Sequence, residues 1–97
     1  MLAPKNEIIF DRDFIKDMRK LPNDIQDRLG ELTEILREDP FDSRLHTKPL
    51  SMPLQGMFSF RVKRDYRAGF RFRASRVIQL LLVGKRDKIY QRLRKKL

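Results

Sequence analysis

Two hydrophobic periods divide the chain. Before about residue 40 the apolar side chains recur at helical spacing, and after Gly56 they alternate. Asn6–Phe10 reads as a short first strand. Asp13 is the expected N-cap of a helix running to about Lys20, with Phe14, Met18 and Leu21 on one face. Pro22 suits the first turn of a second helix, Pro22 to about Glu38, in which Ile25, Leu29, Leu32 and Leu36 form an apolar stripe interrupted only by the helix-weakening Gly30. These two helices predict a hairpin with one greasy side. Asp39-Pro40 ends it, and a loop with prolines at 40, 49 and 53 follows as far as Gly56. Loops of that length in small domains often carry function.

Beyond Gly56, Phe58, Phe60 and Val62 alternate with Ser59, Arg61 and Lys63, and Tyr66, Ala68, Phe70 and Phe72 alternate with Arg67, Gly69, Arg71 and Arg73. Arg64-Asp65 and Ala74-Ser75-Arg76 are the expected hairpin turns. Val77–Val83 is apolar on both faces, which predicts a central strand broken by Gly84. Lys88–Leu97 reads as a short, very basic helix or tail. The predicted class is α+β: an N-terminal strand, a two-helix hairpin, an antiparallel three-strand meander and a basic C-terminal helix or tail. The hairpin covers the aromatic face of the meander, and the opposite face is expected to stay uncovered, presenting its cations as a platform for RNA or another polyanion.

Composition sharpens this picture. At 97 residues the chain is expected to form a single domain, residues 1–97, with one modest core. It has no cysteine, which excludes disulfides and thiolate metal sites, and its one histidine is His46. No carboxylate cluster suggests a magnesium site, and no cofactor or metal is expected. The start, Met1 to Glu7, lacks a basic then apolar leader, and the longest apolar run is too short to cross a bilayer; a cytoplasmic protein without a membrane partner is expected. The net charge is +10, unevenly spread: residues 1–56 hold 9 Lys/Arg against 11 Asp/Glu, and residues 57–97 hold 14 against 2. One sign concentrated on part of a fold favours phosphate contacts.

The residues placed to act on a polyanion are Ser59, Arg61, Lys63 and Arg67, on one face of two neighbouring strands, with Lys85, Arg86 and Tyr90 leaving the next strand. RNA carries its own nucleophile, the 2′-hydroxyl. Cleavage needs a base for that hydroxyl and positive charge on the phosphorane, and then a proton for the departing 5′-oxygen. Tyr90 suits the base if surrounding cations favour its phenolate, although its spacing equally suits packing at a helix start. His46 is an alternative base. Arg86 serves by charge, and Lys63 or Lys85 are candidate proton donors.

The stretch Gly56–Tyr90 resembles the RelE/ParE superfamily of bacterial toxins from type II toxin–antitoxin pairs. The likeness lies in Leu54-Gln55-Gly56, Ser59-Phe60-Arg61-Val62, Asp65-Tyr66-Arg67, and Leu82-Val83-Gly84-Lys85-Arg86-Asp87-Lys88-Ile89-Tyr90, with Phe14-Ile15-Lys16 and Leu21-Pro22 upstream. The resemblance implies a strand, two helices and a meander, and a cognate antitoxin that wraps and blocks the toxin. RelE-like members cleave mRNA in the ribosomal A site without a metal; ParE-like members poison DNA gyrase without nuclease chemistry. Val83-Gly84-Lys85-Arg86 with Tyr90 resembles the RelE branch more closely. There the resemblance makes Arg86 and Tyr90 the leaving-group and base positions, Arg67 a transition-state cation and Arg61 a basic strand position; Ser59, Lys63 and Lys85 complete the expected RNA contacts. Ser59 stands where RelE proper has lysine, and the turn before Tyr66 is one residue shorter. Gyrase inhibition, or a basic binding module without activity, therefore stays open beside the ribosome-dependent mRNA endoribonuclease.

Overall fold

A computed structural model describes residues 5–97; the start of the chain, Met1–Pro4, on which the leader reading partly rests, lies outside the described residues. Strand β1 (Glu7–Phe10) leads into helix α1 (Arg12–Arg19) and helix α2 (Asn23–Glu38). A 3-10 turn (Ser43–Leu45) and the two-residue strand β2 (Lys48–Pro49) follow. Strands β3 (Met57–Lys63), β4 (Tyr66–Ala74) and β5 (Val77–Lys85) form the meander, and α3 (Arg86–Leu93) ends in a 3-10 turn, Arg94–Lys96. The sheet order is β1-β5-β4-β3-β2, with β1 parallel to β5 and the other pairs antiparallel. No helix among the described residues is long and apolar enough to cross a membrane.

Local chemistry shifts two predicted boundaries. Asp11, rather than Asp13, caps α1: its carboxylate accepts the Asp13 backbone N–H at 2.9 Å, leaving Asp13 as an acid in the first turn. Pro22 is the N-cap of α2 rather than its first helical residue. Ile25, Leu29, Leu32 and Leu36 are all buried, packing with Phe14, Phe60, Phe70 and Leu80 between the helices and the sheet. Gly30 lies on the solvent side of α2. The predicted loop contains β2, which extends the sheet edge beside β3.

The opposite sheet face departs from expectation. It is covered by α3, which buries Ile89 and Leu93 against Leu50, Leu54, Met57, Leu81 and Leu82 as a second core. A bulge in β5 makes this possible. Gly69 pairs with Leu82 and Phe70 with Leu80, so Leu81 is the extra residue. Leu81 and Leu82 both join the second core, while Leu80 and Val83 belong to the first. Gly84 does not break β5; the strand runs through it to Lys85.

Salt bridges pin α3 to α1. Arg92 reaches Asp17 at 2.8 Å, and the other Asp17 oxygen accepts the Val83 backbone N–H at 3.1 Å. Lys96 binds Asp11 at 3.0 Å and also Asp13. The basic tail is thereby neutralised on one side by the acids around the start of α1.

Candidate active site

Tyr90 lies against the sheet because two small residues lie side by side beneath α3. Ser59 of β3 and Gly69 of β4 are cross-strand partners. Leu93 presses on Gly69 so closely that a Cβ there would stand 2.8 Å from Leu93 Cδ2. Tyr90, one turn earlier on α3, meets the Ser59 hydroxyl. A long side chain at either position would hold the helix off.

Ser59 is 1% exposed, and its Oγ is a buried side-chain oxygen without a hydrogen-bond partner. It stands close enough to the phenol to favour the phenolate, but short of hydrogen-bond geometry. The sequence predicts Ser59 as a direct RNA contact, but its hydroxyl is buried beneath Tyr90 rather than exposed on the sheet face.

The other cross-strand neighbour of Ser59 is Lys48 of β2. Its Nζ lies 5.5 Å from the centroid of the Tyr90 ring, within cation–π range. Partial burial is the largest influence on the Tyr90 phenol and pushes its pKa up. The Ser59 hydroxyl, the Lys48 ammonium and the Arg67 guanidinium together outweigh burial, so the pKa falls below the ordinary phenol value of 10.0. The sequence reading missed Lys48, which sat unmarked in the proline-rich loop. Its signal was Ser59 itself, a small residue in a cationic row beside which a neighbouring strand can place a charge.

Arg61 and Arg67 are direct cross-strand partners on β3 and β4. Arg67 donates from one nitrogen to the carbonyls of Tyr66 at 3.0 Å and of Lys63 and Arg64 at 3.3 Å, which holds it across the β3–β4 turn. Arg86 opens α3, one turn before Tyr90 on the same face, and its backbone N–H donates to Asp65 O at 2.9 Å. Lys85 is the exposed N-cap of α3, paired across strands with Tyr66. Among the described residues, Lys48, Arg61, Arg67, Lys85 and Arg86 have no acidic partner within 4.0 Å.

Lys63 is not brought to this group. A register shift between Arg61 and Lys63 interrupts the alternation, and its ammonium pairs with Asp24 of α2 at 3.2 Å. Arg71 and Arg73 both donate to Gln79 Oε1, and Gln79 in turn donates to Asp11. His46 is exposed at the end of the 3-10 turn, while the groups acting on Tyr90 are Ser59, Lys48 and Arg67.

Residues 8–90 match the family model of the ParE toxin of type II toxin–antitoxin systems. The chain belongs to this family. No curated protein matches it. Among solved structures the toxin is similar to a chain of the RelBE2 toxin–antitoxin complex from Mycobacterium tuberculosis, at 27% identity and a TM-score of 0.71, covering 84% of this chain and 99% of that one. A chain of the archaeal RelE–RelB complex from Pyrococcus horikoshii shares the fold at 21% identity and a TM-score of 0.71, with 84% and 94% covered. YafQ from E. coli shares it at 16% identity and a TM-score of 0.73, with 88% and 98% covered. The toxin is thus a member of the RelE/ParE superfamily whose fold fits the RelE-like branch.

Proposed function

We propose that this toxin is a ribosome-dependent mRNA endoribonuclease that inhibits translation. The observation that carries the reading is Tyr90 held over Ser59 with Lys48 5.5 Å from its ring and Arg67 acting on it. That setting favours a phenolate, the state a general base requires. In the proposed reaction the Tyr90 phenolate takes the proton of the 2′-hydroxyl. The freed oxygen attacks the adjacent phosphorus, and Arg61 and Arg67 stabilise the charge on the phosphorane. The bond from phosphorus to the 5′-oxygen then breaks, leaving a 2′,3′-cyclic phosphate. Arg86 stabilises the departing oxygen until it is protonated. The sequence needs no metal. Lys85, exposed beside Arg86, extends the contacts to the RNA backbone.

The partner we infer is a cognate antitoxin, by analogy with the relatives that are themselves toxin–antitoxin complexes. An acidic, partly apolar segment would complement the unpaired cations and order on binding.

Primer-extension mapping of mRNA on programmed ribosomes tests the reading, with wild type set beside Arg86→Ala and Tyr90→Phe. Ribosome-dependent cuts that fall by at least about 100-fold in both variants are expected, the scale of a lost general base or electrostatic stabiliser. Folded, antitoxin-free wild type that makes no cut would sink the nuclease. The ParE description of the family model favours gyrase as the second target, and gyrase-trapped DNA breaks would then be the expected result.

A further inference from the structure

A cleft of about 510 Å³ opens beside Tyr90, between the loop that joins β2 to β3 and the outer face of α3. Its floor is apolar, made by the buried Leu50 and Leu54, 9% and 6% exposed, with the exposed Pro49 at its side. Its rim carries Lys48, Gln91 and Arg94, and no acidic residue lines it. Another cleft, between α1 and α3, is different in kind: it holds Asp13 and Asp17, already bound to Lys96 and Arg92.

We propose that the cleft beside Tyr90 is a nucleobase subsite, receiving an unstacked base of the RNA whose phosphate lies at Tyr90. The proposal rests on the nuclease reading above and adds where the substrate's base goes. A base has two apolar faces and a polar edge. The cleft matches it with an apolar floor, the Gln91 amide at the rim and the flat Arg94 guanidinium one helical turn beyond Tyr90. The cleft's size lies within the ~300–1,000 Å³ of ordinary ligand pockets. Its rim charge is positive, which suits a ligand tethered to phosphates. Tyr90 is shared between the cleft and the cation group, so a ribose with its 2′-hydroxyl at the phenol directs its own or its neighbour's base into the cleft.

The test is an NMR titration of the full-length toxin with a 2′-deoxy trinucleotide, which cannot be cleaved, and with an abasic backbone of the same length and charge. Wild type is expected to show shift changes at Leu50, Leu54 and Gln91 with the trinucleotide and none there with the abasic chain. The abasic chain should bind at least about fivefold more weakly, since base stacking contributes ~1–3 kcal/mol per base. Arg94→Lys, which keeps the charge and removes the plane, and Gln91→Ala should each weaken the trinucleotide by a similar factor without affecting the abasic chain. Equal affinity for the two ligands, or shifts confined to Arg61, Arg67 and Arg86, would overturn the proposal. Toxin that cuts mRNA on ribosomes but shows no shifts in the cleft loses the subsite and keeps the nuclease. Toxin that shows the base-dependent shifts but never cuts keeps the subsite and loses the nuclease.

Discussion

Tyr90 takes its acidity from three strands it does not belong to: β2 supplies Lys48, β3 supplies Ser59 and β4 supplies Arg67. The sign of the resulting pH dependence follows from the role of a base. In the proposed reaction only the phenolate accepts the proton, so the cleavage rate is expected to rise with pH until Tyr90 is ionised, and the lowered pKa brings that rise toward neutrality. Lys48→Met and Ser59→Ala each remove a group that favours the phenolate, so each should move the rise to higher pH. At fixed neutral pH the rate should fall by about tenfold for every pH unit the rise moves. Single-turnover cleavage on ribosomes, measured across pH, reads this directly. A profile that stays in place while its plateau falls would assign Lys48 to substrate binding alone and remove it from the control of Tyr90. Lys48 also explains why a serine is tolerated in the cationic row of β3. Ser59 allows α3 to approach, and the charge is supplied from the strand beside it.

Helix α3 is the element that turns a basic strand face into a site, and Gly69 permits its approach. Gly69→Val would drive a branched side chain into Leu93, which already stands 2.8 Å from a Cβ at that position. Overpacking of this kind costs about 1–3 kcal/mol. Urea unfolding should show that loss, and cleavage should fall further than stability explains because Tyr90 rides on the displaced helix. Gly30 makes the opposite case. It is exposed in the middle of α2, and a Cβ there meets nothing within 4 Å. Gly30→Ala should therefore stabilise by about 0.5–1 kcal/mol and leave cleavage unchanged; a destabilised variant would mean that α2 is not an ordinary helix at this point. These elements differ in how plainly the chain announces them. The 4-3-4 stripe of α2 and the alternation in β3 and β4 were readable because each buries one face at one period. The helical cover of the second face was not, because Ile89 and Leu93 are two apolar residues in a segment dominated by Lys and Arg. The two-faced run Val77–Val83 held the missing information: a strand apolar on both sides requires cover on both sides. The bulge at Leu81 and the register shift before Lys63 were invisible, since alternation read along one strand assumes an unbroken ladder.

Across the whole molecule, the fold sorts the excess charge into a neutralised group and an unneutralised one. The acids Asp11, Asp13 and Asp17 hold Arg92 and Lys96, while Asp24 takes Lys63. Lys48, Arg61, Arg67, Lys85 and Arg86 are among the cations left without acidic partners in the described residues. The raw charge of residues 57–97 therefore overstates the free positive charge a polyanion meets, since Lys63, Arg92 and Lys96 are already paired. Binding of single-stranded RNA should weaken as salt rises, with each phosphate contact adding ~0.7 to the slope of log affinity against log salt concentration. Arg61→Ala should reduce the slope by about one such contact, because Arg61 is exposed and unpaired. Lys63→Met should leave the slope nearly unchanged, because the ammonium it removes is already occupied by Asp24. Fluorescence anisotropy at several salt concentrations separates the two variants. Equal losses of slope would mean that the Lys63–Asp24 pair opens to the RNA and that the cationic surface extends past the β3–β4 turn toward α2. A flat response in wild type would remove the cations around Tyr90 from RNA binding altogether.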